Sequence, residues 1–115
     1  MGGYTSFVAV GDSFTEGLND PGPDGRFRGW ADRVAERLAE LKPGFRYANL
    51  AVRGKLLEQV VAEQVPRAAA MRPDLVSLCA GGNDLLRGAD PDALARRLLD
   101  AVRELRACGA EVLLF

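Results

Sequence analysis

Apolar positions along this chain alternate between short unbroken runs and longer stretches in which they recur every three to four residues. Residues 4–10 form an apolar, β-branched and aromatic run ending at Gly11, which predicts a buried strand. From position 30 the pattern turns helical. Trp30, Val34, Leu38 and Leu41 fall at i, i+4, i+8 and i+11, and Pro43-Gly44 ends the run. Residues 45–52 predict a second strand and residues 56–65 a second helix. Pro66 should kink or restart that helix, because proline lacks an amide donor and crowds the preceding turn. After a turn at Arg72-Pro73-Asp74, residues 75–80 predict the third strand. Asp90-Pro91 supplies an N-cap acceptor and a proline at the first helical position. Leu94, Leu98, Val102 and Leu105 make that helix's buried stripe, and Gly109 is the expected residue just past its end. Residues 111–115 begin a fourth apolar strand.

The predicted order is β-α-β-α-β-α-β. Strands apolar along nearly their whole length belong in a parallel sheet covered by helices on both faces. Right-handed crossovers leave few ways to wind it. The expectation is a flavodoxin-like three-layer α/β sandwich, strand order 2-1-3-4, forming one domain over residues 1–115. The pattern stops in mid-strand at Phe115, and an unpaired apolar edge is a liability. The chain therefore reads as the N-terminal part of a longer domain, with a fifth strand and a closing helix expected beyond it.

Composition narrows the class. An apolar fraction of 48% and a charged fraction of 27% describe an ordinary globular domain able to bury one core. The net charge of -1, with both signs mixed along the chain, gives no electrostatic case for nucleic acid or an anionic membrane. Cys79 and Cys108 are isolated and have no histidine company, which argues against zinc. They read as small buried hydrophobes in a reducing compartment. No basic leader precedes an apolar stretch and no run approaches a membrane span, so a cytoplasmic location is expected. The glycine- and proline-rich segment 17–29, with Asp20 and Asp24, lacks the alternating ligands and terminal glutamate of a calcium loop. It is expected to edge a substrate cleft. No metal and no cofactor are expected.

In an open α/β sheet, ligands bind beyond the carboxyl ends of the strands, where the strand order reverses. Ser13 follows the first strand, Gly54 the second and Asn83 the third. In a 2-1-3 order those strands are neighbours, so the three turns meet on one rim with the serine in the middle. The chemistry suits acyl transfer: attack on an ester carbonyl creates an oxyanion, which preorganised N–H donors stabilise. The amides of Ser13 and Gly54 and the side-chain NH2 of Asn83 are the candidate donors. Asp12 and Asp84 read as turn and capping carboxylates, Arg53 as a solvated loop charge and Trp30 as a core anchor.

These residues fall into three blocks: Gly11-Asp12-Ser13-Phe14-Thr15-Glu16-Gly17, Asn49-Leu50-Ala51-Val52-Arg53-Gly54, and Gly81-Gly82-Asn83-Asp84. In order and spacing they resemble the N-terminal part of an SGNH (GDSL-type) hydrolase, a family of esterases, lipases and acyl hydrolases. The resemblance implies that Ser13 is the nucleophile and an oxyanion donor, with Gly54 and Asn83 completing the oxyanion hole. It implies a small-molecule acyl ester as substrate. The family's fourth block, Asp-x-x-His, supplies the base and its orienting acid, and these 115 residues contain no histidine. Lys55 is the one lysine near the site, placed poorly for a base. The chain on its own is therefore expected to be inactive or nearly so. Two other readings stay open at this stage: a flavodoxin-like module binding a phosphate or flavin at the first strand's end, and a non-catalytic paralogue that binds acylated ligands. Acyl length, alcohol group and oligomeric state are not written in the sequence.

Overall fold

A computed structural model describes residues 4–17 and 29–115. Four parallel strands, β1 (Ser6–Gly11), β2 (Arg46–Asn49), β3 (Leu75–Cys79) and β4 (Glu111–Leu114), form one sheet in the order β2-β1-β3-β4. This is the predicted winding. β1 is flanked on both sides, in register from Ser6 opposite Arg46 to Ala9 opposite Asn49, and from Phe7 opposite Leu75 to Gly11 opposite Cys79.

Because side chains alternate across a strand, the sheet has two differently built faces. Val8, Val10, Val76 and Leu78 join Val60, Val65, Ala68, Ala101 and Leu105 in an aliphatic core. Those partners come from the helical run after β2 and from α6 (Pro91–Ala107). On the opposite face, Phe7, Ala9 and Leu75 pack against Ala31 and Ala35 of α2 (Trp30–Leu41), with Tyr47 stacked on Phe7 at a centroid distance of 5.4 Å. Burial, and then the hydrogen bond to Asp32, hold the Tyr47 hydroxyl protonated far above its ordinary range.

The buried stripe of α2 differs from the one its large apolar residues predict. Val34 and Leu41 are 38% and 71% exposed, whereas Ala31 and Ala35 are 0% and 4% exposed. Two alanines allow the helix axis to sit close over Phe7 and Ala9, and that packing outweighs the reach of the larger side chains. The last helix follows expectation more closely. Asp90 accepts from the Asp92 amide at 3.3 Å, Pro91 follows it, and Leu94 and Leu105 are buried. Ala101 shares that stripe, Leu98 and Val102 pack at its margin, and Gly109 takes φ 98° beyond the helix end.

Two further differences are local. Gly81-Gly82-Asn83-Asp84, read as a plain turn, opens a five-residue helix, α5 (Gly82–Leu86), and Ser13 begins a four-residue helix, α1 (Ser13–Glu16). A single helical turn is too short to display a period. The helix after β2 is interrupted just before Pro66. It runs as α3 (Leu57–Gln59), then a π-helical turn over Val60–Gln64, then α4 (Val65–Met71). The Val65 amide bonds back to the Val60 carbonyl, a wider turn that accommodates the proline ring. No helix among the described residues is long and apolar enough to cross a membrane. Asp20 and Asp24, and most of the segment assigned to the cleft edge, lie outside the described residues.

Candidate active site

At the end of β1 the chain passes through Gly11, whose φ is 153°. A Cβ there would stand 2.3 Å from the Cys79 carbonyl oxygen on the neighbouring strand, so only glycine fits. Asp12 then caps α1, its carboxylate accepting from the Phe14 amide at 3.4 Å. Ser13, half-buried, is the first residue of that turn. The turn is closed by amides of Glu16 and Gly17 bonding to the carbonyls of Asp12 (2.9 Å) and Ser13 (3.1 Å). Thr15, fully buried, offers its carbonyl to the Asn49 side-chain amide at 2.9 Å, and the same Asn49 accepts from the Ala51 amide at 3.0 Å.

The second turn is bound to the first. The Val52 amide donates to the Gly11 carbonyl at 3.2 Å, and Arg53 Nε pairs with Glu16 at 2.8 Å. Arg53 stays solvated, as its sequence reading as a loop charge has it, with a side chain 55% exposed, and it also spans the two turns through this surface pair with Glu16. Gly54 is exposed, with φ 74°. Apart from its two chain neighbours, no atom of the described residues lies within 4 Å of the place a Cβ would occupy, so the backbone angle rather than crowding requires glycine. The third turn is bound to the second. Asn83 donates through Nδ2 to the Lys55 carbonyl at 3.0 Å, and Asp84 accepts from the Leu57 amide at 2.9 Å. The three turns of Ser13, Gly54 and Asn83 lie at the carboxyl ends of β1, β2 and β3 and are hydrogen-bonded in series. Lys55 Nζ is paired with Glu63 at 3.0 Å.

Beside this rim opens a cleft of about 500 Å³, lined by Phe14, Cys79, Leu85, Leu94, Leu98 and Phe115, with Asp12 at its edge. Phe14 stacks on Trp30 at 6.2 Å, and Trp30 meets the edge of Phe115 at 5.0 Å. Burial raises the Asp12 carboxyl above the ordinary aspartate range, and the Asp84 charge adds to the rise against the Phe14 hydrogen bond. Burial, then the Asp12 charge, likewise pushes the Cys79 thiol up, which favours the unreactive protonated form. Cys79 and Cys108 are both free and half-buried rather than enclosed, since each sits where its element ends.

The family model described as GDSL-like Lipase/Acylhydrolase matches residues 9–115. The chain belongs to that family. It is 34% identical over 109 residues to Esterase TesA of Pseudomonas aeruginosa, a match covering 95% of this chain and 52% of that protein. A crystal structure of TesA superposes with a TM-score of 0.79 at 32% identity, covering 95% of this chain and 58% of that one. AlinE4, an SGNH-hydrolase family esterase, superposes with a TM-score of 0.76 at 25% identity, covering 99% and 59%. The chain thus spans about half the length of the curated relative it matches. Among GDSL-like features, the sequence blocks around Ser13, Gly54 and Asn83 were legible from residue types alone. Two supporting side-chain amides were not: Asn49, which bonds the first block to the second, carries no mark beyond its place in the second block, and Gln64, which holds Gly11, reads as surface inside a helical run.

Proposed function

We propose that this chain carries the nucleophile and oxyanion portion of a serine ester hydrolase. Ser13 Oγ attacks the ester carbonyl carbon as its proton passes to a base, forming a tetrahedral oxyanion. The Ser13 and Gly54 amides and the Asn83 side chain donate to that oxygen. An amide NH2 has two donors, and Asn83 uses one on the Lys55 carbonyl, leaving the second for the oxyanion. Collapse breaks the bond to the alcohol oxygen, which leaves with the proton held by the base, and the acyl group stays on Ser13. Water then repeats the sequence, releasing the acid and restoring the serine.

The observation that carries this reading is the bonding of the Asn83 turn to the Gly54 turn, and of the Gly54 turn to the Ser13 turn. A phosphate- or flavin-binding role leaves Asn83 and its tie to Lys55 without a purpose. The base and the acid that orients it are not supplied by the three blocks, and these 115 residues hold no histidine. An imidazole from outside them is required, and the 115-residue chain alone should turn over ester at most at a trace rate.

A fluorophosphonate probe tests the assignment. In the full gene product carrying this sequence, and in the 115-residue chain with imidazole added to the buffer, peptide mass spectrometry should find the phosphonyl group on Ser13. Ser13→Ala should abolish it. Absence of Ser13 labelling in both preparations overturns the reading.

A further inference from the structure

We propose that Gln64 is a positioning residue for Ser13, acting through the Gly11 peptide; this rests on the nucleophile reading above. Gln64 is 3% exposed, and its carboxamide makes two hydrogen bonds to one residue. The Gly11 amide donates to Gln64 Oε1 at 2.8 Å, and Gln64 Nε2 donates to the Gly11 carbonyl at 3.0 Å. The need for it arises from the sheet. The β1–β2 ladder ends at Ala9 opposite Asn49, while β1 continues two residues further to Gly11. Past Asn49 the second segment still gives its Leu50 and Val52 amides to the Ala9 and Gly11 carbonyls, but the buried Gly11 amide goes to Gln64 rather than to a carbonyl of that segment. The Gln64 carboxamide has the donor and acceptor geometry of a peptide group: it supplies the acceptor for the Gly11 amide and a second donor, beside the Val52 amide, to the Gly11 carbonyl.

Its delivery depends on the irregular helix. Pro66 cannot donate an amide hydrogen bond, and the chain ahead of it widens into the π turn Val60–Gln64. Gln64 is the last residue of that turn, and it and Val65 are buried side by side. Two residues after the clamped glycine comes Ser13. Gly11 cannot be held by a larger side chain of its own, since a Cβ would strike the Cys79 carbonyl. Its orientation is set from outside, by Gln64 and by the Val52 amide.

The test uses Gln64→Met and Gln64→Glu in the full gene product, with Ser13 labelling followed over probe concentration and pH. Gln64→Met keeps the length and removes both hydrogen bonds. Its saturating labelling rate should fall about 10- to 100-fold, the cost of a displaced reacting atom, while the half-saturating probe concentration stays within about twofold. In Gln64→Glu a protonated carboxyl can still accept from the Gly11 amide and donate to its carbonyl, whereas a carboxylate cannot donate. The ratio of its rate to the parent's should therefore be near one at low pH and drop as that glutamate ionises. Asp12 is the titratable neighbour on the clamped turn, and it is common to both chains. A parent labelled on Ser13 with Gln64→Met labelled equally fast overturns the role of Gln64 alone; an unlabelled parent overturns the nucleophile assignment first. If Gln64→Met fails to fold, a Gln64→Glu ratio that stays flat with pH overturns the proposal.

Discussion

In the turn after β1, Gly11, Asp12, Thr15 and Glu16 are each hydrogen-bonded or ion-paired to something outside or across the turn. The turn after β2 is different. Gly54 stands exposed with open space beside it among the described residues, and the bonds that tie its turn fall on Val52, Arg53 and Lys55. In the role proposed for Ser13, a nucleophile has to be in one place before the substrate arrives, and rigidity in this turn would serve that. In the role proposed for Gly54, a backbone amide that receives an oxyanion needs its approach unobstructed, which an open glycine in a left-handed conformation would provide. Asn83 lies between these extremes: half-buried, with one donor fixed and one spare.

Four substitutions would break or sharpen that contrast. The largest effect belongs to Gly11→Ala, whose methyl would stand 2.3 Å from backbone oxygen that cannot move without the sheet. We expect a loss of about 3 kcal/mol or more by urea unfolding, or no folded chain at all. A tolerated alanine would mean that the β1 turn is not rigid. Asn83→Ala comes next: Ser13 labelling should slow by about 10²–10³. Its stability cost should be only about 1 kcal/mol, that of the bond to Lys55. Equal losses in rate and stability would assign Asn83 to structure alone. Gly54→Ala has space for its methyl and should cost about 1–2 kcal/mol, from the left-handed angle. A cost matching that of Gly11→Ala would erase the distinction between the turns.

The smallest effect concerns pH. The folded-state pKa of Asp12 lies above its unfolded value, so the contribution of the neutral carboxyl is complete below the ordinary aspartate range. That contribution is lost as pH rises through the raised value. Asparagine caps a helix as well as aspartate does and carries no charge. The stability of Asp12→Asn relative to the parent should therefore climb across that window and then level off in urea unfolding series. A difference that is flat with pH would show that ionisation of Asp12 does not oppose folding.

Strand order was legible because it follows from four apolar runs separated by helical patterns, information that each residue carries by itself. The positions of Ser13, Gly54 and Asn83 were legible for the same reason, as turns following neighbouring strands. What sequence could not deliver was decided by contact. The buried face of α2 depends on how near a helix can come to Phe7 and Ala9, and there Ala31 and Ala35 displaced Val34 and Leu41. The roles of Asn49 and Gln64 depend on which peptide groups the sheet leaves unpaired. Pro66 signalled a break in the helix, and the way it broke, by a widened turn that delivers Gln64, was visible only once the chain was folded.

The strand that leads to Ser13 is one of the two inner strands, bonded along both of its sides by β2 and β3. Local opening starts where few bonds must break together, and amides of a doubly paired inner strand exchange with solvent last. Deuterium should therefore enter at the outer strands and at the exposed glycine long before it reaches Val8 or Val10. Fluctuations that admit and release ligand at the rim can then come and go while the support under the serine stays closed.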